Sequence, residues 1–397
     1  MTNAFVAVLN MSITASYVAI AVMLVRLLLR RAPKIFSYLL WTAVIFRLAV
    51  PVSFTSAFSL LQLVQPAGHA GSSLGFIPQD IGMQLKPAAD LGISSINRLV
   101  ELPAAVPEAS VNPVQVLLWA GSIIWLTGVV IILAYSAFSY IRILRRVRTA
   151  TLVSDNIFET DLIMTPFVCG FVRPRIYIPA GLSGSERSYI ILHEQTHIRR
   201  RDYLIKPFMF LLLILHWFNP LMWLSYALMS KDMEMSCDES VVNKLGMQIK
   251  GSYSASLLAF SMRSSGLPPG GPLAFVEGSV KTRITNILAY RPPSSRRTAG
   301  CLLLITALVA GCTANPKPIV SPQESLYSGY NVDKLIENRT RYVGDFSKVS
   351  ALIGELPWPE GLEGAGIELQ TGSRPYELTI NYVMNEYGEV WDKRLKH

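Results

Sequence analysis

Ile190-Ile191-Leu192-His193-Glu194-Gln195-Thr196-His197 is the stretch on which the reading of this chain turns. Two histidines four residues apart fall on one face of a helix, so both imidazoles can reach a single ion. Glu194 lies beside them. It can hold a water against that ion and accept its proton as the water attacks a peptide carbonyl. The pattern also occurs on ordinary polar helix faces, and it lacks a third protein ligand. Downstream, Glu234-Met235-Ser236-Cys237-Asp238 offers one. Glu234 can complete a three-residue set and leave the fourth position for water. Asp238, one turn later, can accept a hydrogen bond from the second nitrogen of a metal-bound histidine. Without the histidine helix upstream, the same segment would read as an acidic helix face, since Asp232 and Glu239 flank it. The expectation is Zn2+ held by His193, His197 and Glu234, with Glu194 as general base and Asp238 behind the ligands.

An apolar run, residues 204–229, separates the two halves and is long enough to cross a bilayer. A full crossing would leave the ligands on opposite sides of the membrane. Phe218-Asn219-Pro220 interrupts the run, and proline breaks the helical bond ladder. The run therefore predicts a helical hairpin that dips into the bilayer and returns to the same face. His216 within it reads as a packed or interfacial histidine rather than a ligand. Upstream, residues 166–179 combine strand-forming residues with prolines at intervals. Proline confines a strand to a sheet edge, so Arg175-Ile176-Tyr177-Ile178 is expected as an edge strand to which a substrate backbone could add. A structural hairpin is compatible with that reading. Arg199-Arg200-Arg201 is expected against lipid phosphates, with Asp202 able to pair with one of them.

Composition sets the surroundings. The chain has 397 residues, of which 51% are hydrophobic and only 16% charged. So few charges cannot coat a soluble protein of this size, and part of the surface must face lipid. The net charge of +9 comes with basic residues that sit beside apolar runs, a placement explained by anionic lipid and topology. No nucleic-acid-binding motif accompanies it, so no direct nucleic-acid partner is expected. Cys169, Cys237, Cys301 and Cys312 lie far apart with no CxxC pair, which argues against a disulfide framework or an all-cysteine metal site.

Four runs have membrane-helix character: 5–29, 36–63, 114–141 and 298–312. Arg26 can snorkel to the near interface. Arg47, inside the second run, is expected to face protein or water. The fourth run is the shortest and spans only if it continues toward Pro316 or the bilayer thins. Arg30, Arg31 and Lys34 follow the first run, Arg142, Arg145, Arg146 and Arg148 the third, and Arg291, Arg296 and Arg297 precede the fourth. The loop 65–112 holds only Lys86 and Arg98. The positive-inside rule then places the N-terminus outside, 148–297 in the cytoplasm and the tail outside, in a multi-pass membrane protein. The N-terminus is a poor signal peptide, since its positive charges come after the apolar run.

The expected organisation is an α-helical integral membrane protein of about four transmembrane helices with an inserted gluzincin-like α+β zinc protease domain and a small α+β C-terminal domain. Its parts are two helices in 1–64, an extracytoplasmic loop in 65–112 with a short interfacial helix around 93–102, and a third helix in 113–141. The protease domain fills 142–297, the fourth helix 298–316 and the C-terminal domain 317–397. Alternation in Glu377-Leu378-Thr379-Ile380-Asn381-Tyr382 predicts a strand in that last domain.

His193 to Asp202, Trp217-Phe218-Asn219-Pro220, Glu234 with Cys237-Asp238, the segment 166–179, and Lys281-Thr282-Arg283-Ile284-Thr285-Asn286-Ile287-Leu288 together resemble the BlaR/MecR-type family of membrane metallopeptidases. The resemblance covers roughly residues 1–312. It implies a cytoplasmic gluzincin-like protease with His193, His197 and Glu234 on zinc and Glu194 as base. It also implies a signalling role, in which an extracytoplasmic ligand is sensed and a cytoplasmic protein such as a winged-helix repressor is cleaved, directly or indirectly. The antibiotic-sensing members carry a large penicillin-binding sensor with a Ser-x-x-Lys nucleophile. The tail here is too short for that domain and holds no such motif, so covalent β-lactam sensing is not expected. The tail instead resembles a small uncharacterised domain attached to some family members. Two other readings stand beside this one: a housekeeping protease for membrane-protein processing, and a non-enzymatic receptor scaffold. Leu308-Val309-Ala310-Gly311-Cys312 looks like a lipobox in support of the second, but it is internal, where lipoboxes do not function. A homodimer is compatible with the sequence.

Overall fold

The computed structural model describes residues 1–50, 55–56, 59, 76–77, 81, 112–264, 280–316, 381–384 and 390–394. The chain divides into two units, Met1–Pro318 and Ile319–His397. The predicted interfacial helix at 93–102 lies outside the described residues. In the second unit, β7 (Asn381–Met384) pairs antiparallel with β8 (Val390–Arg394). Of the predicted strand, only Asn381 and Tyr382 fall within the described residues.

In the first unit, α1 (Thr2–Leu28) turns through Leu29–Arg31 and Pro33 into α2 (Lys34–Ala49). The two helices pack along Ala15, Val18, Ala19 and Val22 of α1 and Leu40, Trp41 and Val44 of α2, all buried. The small residues of α1 allow close approach. The second apolar run does not stay helical to residue 63. It stops at Ala49, and Val50 is extended at φ −115° and ψ 110°, because the residue before a proline, here Pro51, is driven out of the α region. Sixteen residues of helix rise about 24 Å.

α3 (Pro113–Arg146) starts with Pro113 in its first turn and Asn112 accepting from Val114 N at 3.0 Å. Most of its side chains are exposed. It touches the rest of the unit along one line, where Gly128 admits the Trp217 ring. The last helix of the unit, named α9 below, covers Ser295–Thr313. The segment Thr2–Arg31, α3 and α9 are the three described helices long and apolar enough to cross a membrane.

Arg47 is buried, and it faces protein. Its Nε donates to Cys312 O at 2.7 Å, Nη2 to Ala314 O at 2.8 Å and Nη1 to Asn315 Oδ1 at 2.8 Å. Cys312 O belongs to the last turn of α9, where helix carbonyls have no intrahelical donor, and Ala314 O lies just past it. Beside them β1 (Thr55–Ser56) pairs in parallel with β6 (Asn315–Pro316).

Between α3 and α9 stands a four-stranded mixed sheet, order β2-β3-β5-β4, made of β2 (Thr151–Ser154), β3 (Ile157–Thr160), β4 (Phe167–Cys169) and β5 (Arg175–Pro179). β5 pairs in parallel with β3 and antiparallel with β4. The expectation that Arg175, Ile176, Tyr177 and Ile178 form an edge strand is therefore wrong: the strand is interior. Pro174 precedes it and Pro179 ends it, so neither proline removes a donor from its middle. The sheet's free edges are β2 and β4. Ile176 and Ile178 pack on Ile190 of the next helix, while Tyr177 faces Val147 and Cys169 on the other side, the alternation a pleated strand requires.

The helices that follow are α4 (Gly184–Arg200), α5 (Asp202–Leu215), α6 (Pro220–Leu245), α7 (Lys250–Ser264) and α8 (Val280–Ala289), ahead of α9. The apolar run 204–229 breaks at the predicted place: α5 ends at Leu215, and Pro220 opens α6, with Asn219 accepting from Leu221 N at 2.9 Å. His216 is fully buried at this turn.

Candidate metal centre

α4 is started by a capping box. Glu186 N donates to Ser183 Oγ, and Ser183 N donates back to Glu186 Oε2 at 3.1 Å. The helix buries Ile190, Leu192, His193, Glu194, Thr196 and His197. Ile190 lies on the sheet. Leu192 lies in a cluster with Val241 and Val242 of α6, Tyr253 of α7 and Ile287 of α8. This packing fixes the rotation of α4 and turns both histidines toward α6.

His193, His197 and Glu234 come together. His197 Nε2 is 3.1 Å from His193 Nε2 and 3.7 Å from Glu234 Oε1, and His193 Nε2 is 3.3 Å from Glu234 Oε2. A tetrahedral ion about 2.1 Å from each ligand would set its ligand atoms about 3.4 Å apart, so this triangle has the size of a metal site. The protonation pattern agrees. His197 Nδ1 lies 2.9 Å from Asp202 Oδ2, and His193 Nδ1 lies 3.3 Å from Asp238 Oδ1 and 3.1 Å from the Tyr253 hydroxyl. An ionised carboxylate only accepts, so each Nδ1 carries a proton, which leaves both Nε2 atoms and the Glu234 carboxylate as the groups that would hold a cation. The residues fit a divalent ion with a nitrogen–nitrogen–oxygen ligand set.

The electrostatics point the same way. Burial alone would push both imidazoles down, but the carboxylates Asp238 and Glu234 hold His193 above its ordinary range. Cys237, Glu234 and Asp202 hold His197 well above it. Glu234 is opposed by burial yet held well below the usual carboxylate range by His197, His193 and Arg283. The pocket thus favours positive charge. The Glu234 side chain keeps 18% of its surface exposed against 9% and 11% for the two histidines, so the site opens to solvent on the Glu234 side. Glu194 is buried on α4 next to His193.

Asp238 is fully buried and strongly held. Arg283 Nε and Nη2 donate to its two oxygens at 2.8 and 2.7 Å, and the Tyr253 hydroxyl donates at 2.7 Å. Burial would raise its pKa, but Arg283 and His193 bring it to about 2. Arg283 Nη1 also lies 3.4 Å from Glu234 Oε2. Asp202 reaches back to His197 because Arg201 adopts a left-handed conformation, φ 60°, that turns the chain sharply between α4 and α5. Arg200 does not face lipid as its neighbours suggested. It donates to Ser236 Oγ at 2.8 Å and lies 3.4 Å from Asp202. His216 takes no part in the cluster.

Sequence reasoning gave Asp202 only an arginine partner, which it has in Arg200, and assigned no role to Tyr253 or Arg283. Asp202 had a local signal, an acid five residues past the second histidine, but its use depends on the turn at Arg201. Tyr253 and Arg283 arrive through tertiary packing and leave no spacing signal near the histidines.

Residues 6–287 match the family described as BlaR1 peptidase M56. The chain belongs to this family. Residues 335–394 separately match a domain of unknown function, DUF4825, so the tail is a distinct domain of the small uncharacterised kind expected. Among curated proteins, the chain is 28% identical over 224 residues to the regulatory protein BlaR1 of Bacillus licheniformis, covering 50% of this chain and 37% of that protein. It is 31% identical over 104 residues to the methicillin resistance mecR1 protein of Staphylococcus aureus, covering 25% of this chain and 18% of that protein. The matched region therefore spans well under half the length of these relatives.

Proposed function

We propose that this protein is a membrane-embedded zinc endopeptidase in transmembrane signalling, with His193, His197 and Glu234 as ligands and Glu194 as general base. The observation that carries the reading is the triangle of His193 Nε2, His197 Nε2 and a Glu234 carboxylate oxygen, with both Nδ1 atoms turned to carboxylates. When bound, the ion supplies Lewis-acid chemistry that polarises a water and a peptide carbonyl. Glu194 takes the proton of the attacking water and returns it to the leaving amine. Asp202 and Asp238 orient the two imidazoles and keep their protons on Nδ1. Burial of α4 against the sheet and α6 holds the groups in register before substrate arrives.

The site belongs on the cytoplasmic face in this reading, with four spans formed by α1, α2, α3 and α9 and the C-terminal domain outside. Two contacts support it. The basic turn after α1 lies against the metal helix, where Lys34 N donates to Glu239 Oε2 at 2.7 Å. At the far end of α2, Arg47 grips the exit of α9. The substrate class is a cytoplasmic protein such as a transcriptional repressor, and the C-terminal domain is the receiver of an extracytoplasmic ligand. The family and the regulatory character of one relative, the regulatory protein BlaR1, motivate this part.

Metal analysis of the purified full chain and of His197→Ala tests the ligand set: about one zinc per chain is expected in the first and none in the second. Glu194→Gln should keep the zinc and lose cleavage by about a hundredfold or more. Equal zinc in wild type and His197→Ala, or wild-type cleavage by Glu194→Gln, overturns the mechanism.

A further inference from the structure

Asp202 is held from a second direction. Its Oδ2 faces His197 Nδ1 at 2.9 Å, and its Oδ1 accepts from the Tyr38 hydroxyl at 3.0 Å. Tyr38 belongs to α2, 164 positions earlier in the chain. The ring is buried and lies 4.8 Å from the Arg200 guanidinium. Arg200 is in turn fixed by Ser236 Oγ at 2.8 Å and Cys237 Sγ at 3.2 Å, both on α6. The tyrosine therefore lies against Arg200 of α4 and Asp202 at the start of α5, with its one polar atom spent on Asp202.

We propose that Tyr38 is a positioning residue of the metal centre: through Asp202 it sets the orientation of His197, so the second helix is a working part of the site. The inference rests on the metal-centre reading above. A carboxylate turns easily about its last bond, and a short hydrogen bond to one oxygen fixes where the other points. With Oδ1 tied to Tyr38, Oδ2 stays on His197 Nδ1, which keeps Nε2 aimed at the ion. Without the hydroxyl, the buried Asp202 carboxylate keeps only the contacts on Oδ2, from His197 Nδ1 at 2.9 Å, Arg200 Nε at 3.4 Å and Cys237 Sγ at 3.6 Å, and nothing fixes its rotation about the last bond. Hydrogen bonds fail within a few tenths of an ångström beyond 3.2 Å, so a small displacement of α2 removes the constraint. The opposite end of the same helix carries Arg47, bound to the exit of α9.

The test uses the full chain in detergent, with zinc affinity measured by competition against a chelator. Unfolding of the zinc-free protein is followed in parallel. Losing a direct partner of a ligating histidine typically lowers metal affinity about 10- to 100-fold. Asp202→Asn should fall in that range, and Tyr38→Phe, one step further out, should lose about 3- to 10-fold. The double variant should lose no more than Asp202→Asn alone, because Tyr38 acts only through Asp202. Wild-type affinity in Tyr38→Phe overturns the proposal, as does a double variant whose loss is the product of the two singles. If Tyr38→Phe lowers only the stability of the zinc-free protein, Tyr38 is a packing residue and the proposal also fails. Retention of zinc by His197→Ala would instead remove the metal-centre reading itself, so the two failures are distinguishable.

Discussion

Replacing Arg26 by leucine should destabilise the fold far more than an interfacial arginine would. The sequence reads Arg26 as snorkelling from the first helix to the interface. In the structure its Nε and Nη2 donate to Asp232 at 2.6 and 2.8 Å, and Trp41 Nε1 of α2 donates to the same carboxylate at 3.0 Å. The Asp232 side chain has no exposed surface, and Arg26 keeps 18%. Arg26→Leu removes two of these three donors and leaves a buried carboxylate with the indole alone. Breaking a buried ion pair by removing one partner costs about 3–5 kcal/mol, a shift of roughly two to four powers of ten in the folding equilibrium constant. Removing both charges should recover most of this, because a well-packed apolar pair avoids the desolvation cost. The assay is denaturant unfolding in detergent for Arg26→Leu, Asp232→Leu and the double variant. The double should lie within about 1–2 kcal/mol of wild type, the remainder being the Trp41 hydrogen bond. An Arg26→Leu variant within about 1 kcal/mol of wild type, or a double no better than either single, would refute the reasoning.

Two further predictions follow from packing and burial. A Cβ on Gly128 would lie 2.4–2.6 Å from the Trp217 ring, whereas one on Gly300 of α9 meets nothing within 4 Å. Gly128→Ala should therefore destabilise by about 1–3 kcal/mol and shift tryptophan fluorescence, despite alanine's better helix propensity. Gly300→Ala should be neutral or stabilising by up to about 1 kcal/mol, and equal effects at the two sites would contradict the docking of the hairpin turn on α3. Glu239 is pushed up from 4.5 to about 7 by burial, which the Asn286 amide and the Lys34 N–H only partly offset. A raised acid contributes stability that is present below pH 4.5 and is lost as pH rises toward 7. Relative to Glu239→Gln, the wild type should lose about 2 kcal/mol between pH 5 and pH 8 in zinc-free unfolding, and parallel pH profiles for the two would count against it.

The features of the site legible in the sequence are those that obey helical spacing. His193 and His197 stand four apart, Glu234 and Asp238 likewise, and each pair lies on one face of its helix. The hairpin was legible because a proline following an asparagine stops and restarts a helix whatever surrounds it. The interior strand was misread because proline was counted by its presence in the segment rather than by its place in the ladder. Pro174 and Pro179 sit at the ends of β5, where the missing donors are not needed. The second helix is shorter than its apolar run because hydropathy continues past Pro51 while helical backbone does not. The groups that hold Asp202 and Asp238 in place were illegible for another reason. Tyr38, Tyr253 and Arg283 are distant in sequence and are brought in by packing among α2, α6, α7 and α8, which no local pattern encodes.

Met1 to Pro318 forms one compact unit, in which α1 and α2 pack with the helices that carry the candidate ligands. The buried charges explain why. Asp232 and Asp238 lie on the same helix as Glu234, and Asp202 lies five residues from His197. Asp232 is neutralised by Arg26 of α1 and Trp41 of α2, Asp202 is oriented by Tyr38 of α2, and Glu239 is bonded by the start of α2. Each carboxylate would cost several kcal/mol if left in the interior unpaired. The helices that carry the partners therefore cannot be removed without either flooding the core or protonating it. The first two helices supply the donors that let Asp202, Asp232 and Glu239 stay buried beside the candidate ligands, and so they belong to the same packed unit as the histidines.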